Sequence, residues 1–143
     1  MSRAEPAKRS HFKVWRRFTT RWSDNDVYAH VNNTIFYQWF DSAVNGWLID
    51  EGMLDLGASD PIALVVSTSC TYFSPISYPQ DVDVGLAVAK LGRSSIHYRI
   101  GVFAAFSPVA SAQGEFVHVV VDGATRTPVS LPPTWRTKLE AIS

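Results

Sequence analysis

Apolar and polar positions alternate along several stretches of the chain, and one longer stretch repeats at helical spacing. Over residues 11–22 the alternation places Phe12, Val14, Phe18 and Trp22 on one face and His11, Lys13, Arg17 and Arg21 on the other. That pattern predicts a strand with one wet face, although Arg16 interrupts its apolar side. From residue 31 to about residue 51, Phe36, Phe40, Val44, Trp47 and Leu48 recur at helical spacing, and Ile35, Trp39 and Ala43 widen the stripe. A helix that is apolar nearly all round has to be enclosed, here by a sheet. Asn32 or Asn33 suits its N-cap. Gly46, a poor helix former, suits a close backbone approach.

Four further strands are expected. Residues 62–73 place Ile62, Leu64, Val66, Cys70 and Tyr72 on one side. Next, Val82, Val84, Leu86 and Val88 face away from Asp81 and Asp83; after a turn at 91–94, Ile96, Tyr98, Ile100 and Val102 face away from Ser95, His97 and Arg99. Residues 109–121 are apolar on both faces, as in a central strand. Pro132-Pro133 opens a short helix over about 134–141. Residues 1–10 read as a flexible tail and 11–143 as one α+β domain. A single sheet has one face for that helix, so either its opposite side stays wet or a second copy of the chain covers the rest; the aromatic excess favours the second copy.

Composition narrows the function. A chain of 143 residues can bury a sizeable core unaided. The single cysteine, Cys70, leaves no intrachain disulfide, and four scattered histidines show no metal-ligand spacing, so no metal or cofactor is expected. A formal net charge of zero argues against a general nucleic-acid binder. Between residues 22 and 89 lie nine acidic residues and no Lys or Arg, so all thirteen cations flank that segment. Those cations read either as solvated strand faces with a basic tail or, at Arg93 and Arg99, as positive charge offered to an anionic ligand. The first ten residues lack the apolar stretch of a signal peptide, and no run is long enough to span a bilayer. The expected place is the cytoplasm.

The densest chemistry lies in Arg21-Trp22-Ser23-Asp24-Asn25-Asp26-Val27-Tyr28-Ala29-His30-Val31-Asn32-Asn33. A polar loop entering a buried helix can aim side chains and unpaired N–H groups at one point. This string, with Phe36-Tyr37 after it, resembles the start of hot-dog-fold acyl thioesterases of the 4-hydroxybenzoyl-CoA thioesterase type. Thr71-Tyr72-Phe73-Ser74-Pro75, Lys90-Leu91-Gly92-Arg93-Ser94-Ser95 and Leu131-Pro132-Pro133 agree with it. The resemblance implies an antiparallel sheet of about five strands wrapped around one long helix. It also implies a homodimer or homotetramer with active sites between subunits.

For the chemistry, the resemblance implies Asp26 as the catalytic carboxylate, His30 as its helper, and the backbone N–H near Asn33 as the group that polarises the thioester carbonyl. Tyr28, Arg93, Ser94 and Ser95 are expected to meet the substrate, the last three at the CoA phosphates. Two positions depart from the pattern. Ala29 stands where relatives often carry Gly or a polar residue. Tyr28 replaces the Asn of the acyl-carrier-protein branch, so that branch's Asn-dependent mechanism does not transfer. Asp24 is expected to hold the turn. The implied activity is hydrolysis of an acyl-CoA to free acid and CoA. The alternatives are a non-catalytic acyl-CoA-binding protein and an acyl-thioester hydratase or dehydratase. The latter lacks its Asn and Pro before the histidine.

Overall fold

The computed structural model describes residues 4–57 and 60–143; the first three residues of the expected tail lie outside them. The elements run β1 (Val14–Thr19), α1 (Asn33–Asp50), β2 (Ile62–Tyr72), β3 (Asp81–Leu91), β4 (Ser95–Ala104), β5 (Ala112–Val121) and α2 (Pro133–Glu140). The five strands form one antiparallel sheet in the order β1-β3-β4-β5-β2. Among the described residues no helix is long and apolar enough to cross a membrane.

Helix α1 lies on one face of the sheet. Its Phe36, Trp39, Phe40, Val44 and Leu48 pack with Val84 and Leu86 of β3, Ile96, Tyr98 and Ile100 of β4, and Phe116 and Val120 of β5. Period-two alternation in β3 and β4 supplies that face as expected, and each buried side chain of this size contributes roughly 1.5–3 kcal/mol. The helix differs from the expectation in one respect. Asn33, Thr34, Gln38, Asp41, Ser42 and Asp50 form an exposed polar side, while Phe36, Trp39, Phe40 and Trp47 are all buried within one chain. These four aromatic side chains therefore need no second copy to cover them.

Arg16 and Gly46 explain each other. Arg16 points from β1 toward the helix, and its Nη1 pairs with Asp50 Oδ2 at 2.8 Å. A methyl group on Gly46 would stand 2.6 Å from Arg16 Cζ, so glycine lets the guanidinium pass.

β1 is shorter than the alternation predicts, because a 3-10 turn precedes it (Arg9–His11) and another follows it (Trp22–Asp24). The turns take Phe12 and Trp22 off the helix-facing side. Trp22 is 77% exposed, and Phe12 is buried on the outer face with Ala7, Ala87, Phe103 and Ala110. There its ring lies over Gly85 and Gly101, which face each other on β3 and β4 and whose Cβ atoms would come within 2.8 and 2.6 Å of it.

Residues 4–10, expected as a flexible tail, lie along this outer face. The Ala7 N–H donates to Gln113 Oε1 at 2.6 Å, Gln113 Nε2 donates to the Glu5 carbonyl at 3.0 Å, and Arg9 pairs with Asp83 at 3.0 Å. β2 departs too. A bulge between Val65 and Ser67 resets its register against β5. Cys70 and Tyr72 face the helix across from Gly114 and Ala112, whereas Ile62 and Leu64 face outward. β5 has partners on both sides, but the middle strand is β4.

His118 of β5 sits in the core beside Tyr98, and neither its Nδ1 nor the Tyr98 hydroxyl has a hydrogen-bond partner among the described residues. Burial pushes the imidazole down to about 4, whereas an unfolded chain protonates it near pH 6.5. Above that value both states hold it neutral. As pH falls toward 4 the unfolded chain takes up the proton first, so stability is lost across that window, by about 3 kcal/mol in all. His118→Phe is expected to flatten the fall in melting temperature between pH 7 and pH 4; an unchanged slope would show that His118 is not the titrating group.

Candidate active site

The loop between β1 and α1 is built by its own polar side chains. Asp24 is 2% exposed; it accepts the Arg21 N–H at 2.8 Å and the Arg21 guanidinium at 2.8 and 3.0 Å, so it holds the turn as expected. Asp26 forms an Asx-turn, accepting the Tyr28 N–H at 2.8 Å through Oδ1. Its own N–H donates to the His30 carbonyl at 2.8 Å, and the Ala29 N–H donates to the Asp26 carbonyl at 3.0 Å. Ala29 adopts a φ of 62°, a left-handed conformation that costs a residue with a Cβ about 1 kcal/mol.

Helix α1 begins at the end of this loop. Asn32 is its N-cap and accepts the Thr34 N–H at 3.0 Å. The Asn33 N–H, one position earlier, has no acceptor among the described residues. It stands at the positive end of an 18-residue dipole.

Asp26, His30 and Asn33 line one cleft of about 390 Å³ with Phe36, Tyr72 and the 73–76 segment that follows β2. Asp26 is half-buried and His30 exposed. Phe36 and Ile76 make the wall apolar, and Phe36 meets the Tyr72 ring edge to face at 5.2 Å. The Tyr72 hydroxyl donates to the Asn33 carbonyl at 3.3 Å. Burial raises its pKa, so it remains a protonated donor. A carboxylate, an imidazole and an open helix end thus share a cleft whose far wall is apolar. Such a site can activate water or attack a carbonyl while stabilising negative charge on its oxygen. Among the described residues no group of three or more His, Cys, Asp or Glu side chains is placed to hold a metal ion.

The model of the thioesterase-like superfamily matches residues 20–139. The chain belongs to the thioesterase-like superfamily. Among solved structures, this thioesterase-like chain is similar to the PA5185 protein of Pseudomonas aeruginosa strain PAO1, at 42% identity and a TM-score of 0.93 over 97% of each chain. PA2801 of Pseudomonas aeruginosa, a thioesterase candidate, shares 28% identity at a TM-score of 0.81, over 87% of this chain and 95% of that one. The 1,4-dihydroxy-2-naphthoyl-CoA thioesterase Slr0204 of Synechocystis is 22% identical at 0.78, over 87% and 93%; at that identity it speaks for the fold alone. Curated proteins give no match. The five-stranded antiparallel sheet with one central helix is the hot-dog fold of the thioesterase-like superfamily.

Not every residue expected at the site of this thioesterase-like chain lies in the cleft. Tyr28 is 78% exposed at the loop tip beside Val27. Arg93, Ser94 and Ser95 form the β3–β4 turn, where Ser95 pairs with Val119, whereas Tyr72 at the cleft pairs with Ala112. The two ends of β5 are roughly 23 Å apart at strand rise, so one chain does not bring the turn to the cleft. Ile76 and Ser77 escaped the sequence reading. They reach the loop from the β2–β3 connection, and nothing in the local pattern marks them.

Asp24→Ala is expected to destabilise the protein by about 2 kcal/mol in urea unfolding, because it strips a buried charged acceptor from Arg21. Asp24→Asn keeps an acceptor for the Arg21 N–H and should lose about half as much.

Proposed function

We propose that the protein is an acyl-CoA thioesterase of the 4-hydroxybenzoyl-CoA thioesterase type, hydrolysing an acyl-CoA to the free acid and CoA. The observation that carries this reading is the shared cleft: the Asp26 carboxylate, His30 and the unpaired Asn33 N–H face it together. The thioester carbonyl oxygen sits at the start of α1, where the Asn33 N–H and the helix dipole stabilise the oxyanion by a few kcal/mol. Asp26 either takes a proton from the attacking water or attacks the carbonyl itself to give an anhydride that water then cleaves. In both routes the C–S bond breaks and CoA leaves as a thiolate. His30 orients Asp26 or holds the substrate amide. CoA arrives as part of the substrate, and the chemistry asks for no separate cofactor. The cytoplasm is the compartment this reading implies.

A second copy completes the site. β2 is an edge strand of eleven residues without a charge or a proline, and Val65 and Val66 are 46% and 59% exposed. An uncharged open edge of that length invites pairing, whereas the opposite edge strand, β1, carries Arg16 and Arg17. Two copies of β2 related by a twofold axis pair antiparallel, so the Tyr72 end of one meets the Ile62 end of the other. Ile62 lies beside Val121, and the Val120 N–H donates to the Ser94 carbonyl at 2.8 Å. The pairing thus carries Arg93, Ser94 and Ser95 of one copy toward the cleft of the other. Arginine there suits bidentate contact with the CoA phosphates.

Asp26→Asn preserves the Asx-turn acceptor and is expected to fold normally, with an unchanged melting temperature. Thiol release across a panel of acyl-CoAs should fall by about two orders of magnitude or more. Near-normal release by this variant, or binding without release by the wild type, would sink the assignment. Val66→Lys should weaken self-association about tenfold or more by setting like charges along the seam, and turnover should fall with the dimer fraction in sedimentation runs.

A further inference from the structure

We propose that Ser77 is a positioning residue of the active site, the latch that holds the catalytic loop in the conformation from which Asp26 and His30 face the cleft. The inference rests on the thioesterase reading for its effect on turnover, but not for its effect on the loop.

Among the described residues, the stretch of the loop from Asn25 to Val31 is fastened from outside by three hydrogen bonds, all to the connection between β2 and β3; a fourth, from the Thr20 hydroxyl to the Gln80 carbonyl, holds the start of the loop. The Val31 N–H donates to the Ile76 carbonyl at 2.7 Å, the Ser77 hydroxyl donates to the Ala29 carbonyl at 2.9 Å, and the Tyr78 N–H donates to Asn25 Oδ1 at 3.1 Å. On the β2–β3 side the first and third use main-chain atoms. Ser77 alone of the three uses a side chain, and it grips the one residue of the loop in a left-handed conformation. Ala29 lies directly before His30, and its N–H closes the turn onto the Asp26 carbonyl. A change in the Ala29 backbone therefore moves His30 and opens the turn that carries Asp26.

Ser77 is itself held. Its N–H donates to Gln80 Oε1 at 2.9 Å, and its carbonyl accepts the Gln80 N–H at 2.9 Å. The hydroxyl thus projects from a fixed turn. An alanine at position 29 has to be kept left-handed by its surroundings, whereas a glycine adopts that conformation freely.

Ser77→Ala is expected to lower kcat about tenfold while KM stays within about twofold, because the geometry is loosened and the binding walls are not. Ser77→Thr keeps the hydroxyl and should restore kcat. Ala29→Gly combined with Ser77→Ala should recover part of the loss. Independently of activity, hydrogen exchange of the Asp26 and Ala29 amides should quicken about fivefold in Ser77→Ala, with β5 amides unchanged. Wild-type kcat in Ser77→Ala together with unaltered loop exchange would overturn the proposal. If Asp26→Asn hydrolysed like the wild type, the thioesterase reading would fall, and the exchange measurement would still decide the role of Ser77.

Discussion

A helix with four buried aromatic side chains has to be covered along one side, and a single sheet covers that side but leaves the start of the first turn open. That constraint organises the rest of the protein. β3, β4 and β5 supply a largely apolar floor beneath α1, interrupted by His118, and β1 passes under its later turns, where Arg16 slips beneath Gly46. The opening turn of α1 emerges beside the end of β2. There the dipole and the unpaired Asn33 N–H face a cleft instead of a core. The site is thus a product of how the core closes.

The outer face of the sheet is organised by different forces. A small aromatic group, Phe12, Trp15 and Phe103, packs edge to face over the paired glycines of β3 and β4. Arg9 lies over two of those rings. Asp83 anchors both Arg9 and Arg17, and the hydrogen bond from Arg17 is the main cause that holds its carboxyl below the usual carboxylate range. Arg9 and Arg17, two of the cations crowded before residue 22, thus have a structural partner here, whereas Arg93 and Arg99 remain exposed.

Sequence periodicity reported most faithfully where one residue follows another without interruption. The inward faces of β3 and β4 and the span of α1 are readable from their repeats, and the short C-terminal helix from the Pro132-Pro133 that opens it. It misled where the backbone changes register without a sequence signal. The bulge at Val66 turns the first half of β2 over, and the 3-10 turns around β1 send Phe12 and Trp22 elsewhere. The docking of residues 4–10 was equally hidden, because Gln113 and Asp83 hold it from far along the chain. Of the candidate site, the loop's own carboxylates were legible since Asp, Asn and Ser cluster within a few positions. Ile76 and Ser77 were not, since only the folded chain brings the β2–β3 connection against that loop.

The path of residues 4–12 has a practical consequence. This stretch of chain runs behind the sheet, with Phe12 lying over Gly85 and Gly101 and the main chain stitched to Gln113, while the cleft opens on the helix side. A domain or affinity handle joined ahead of residue 4 would therefore be carried on the back of the molecule. It would leave the mouth of the cleft and the loop that frames it unobstructed.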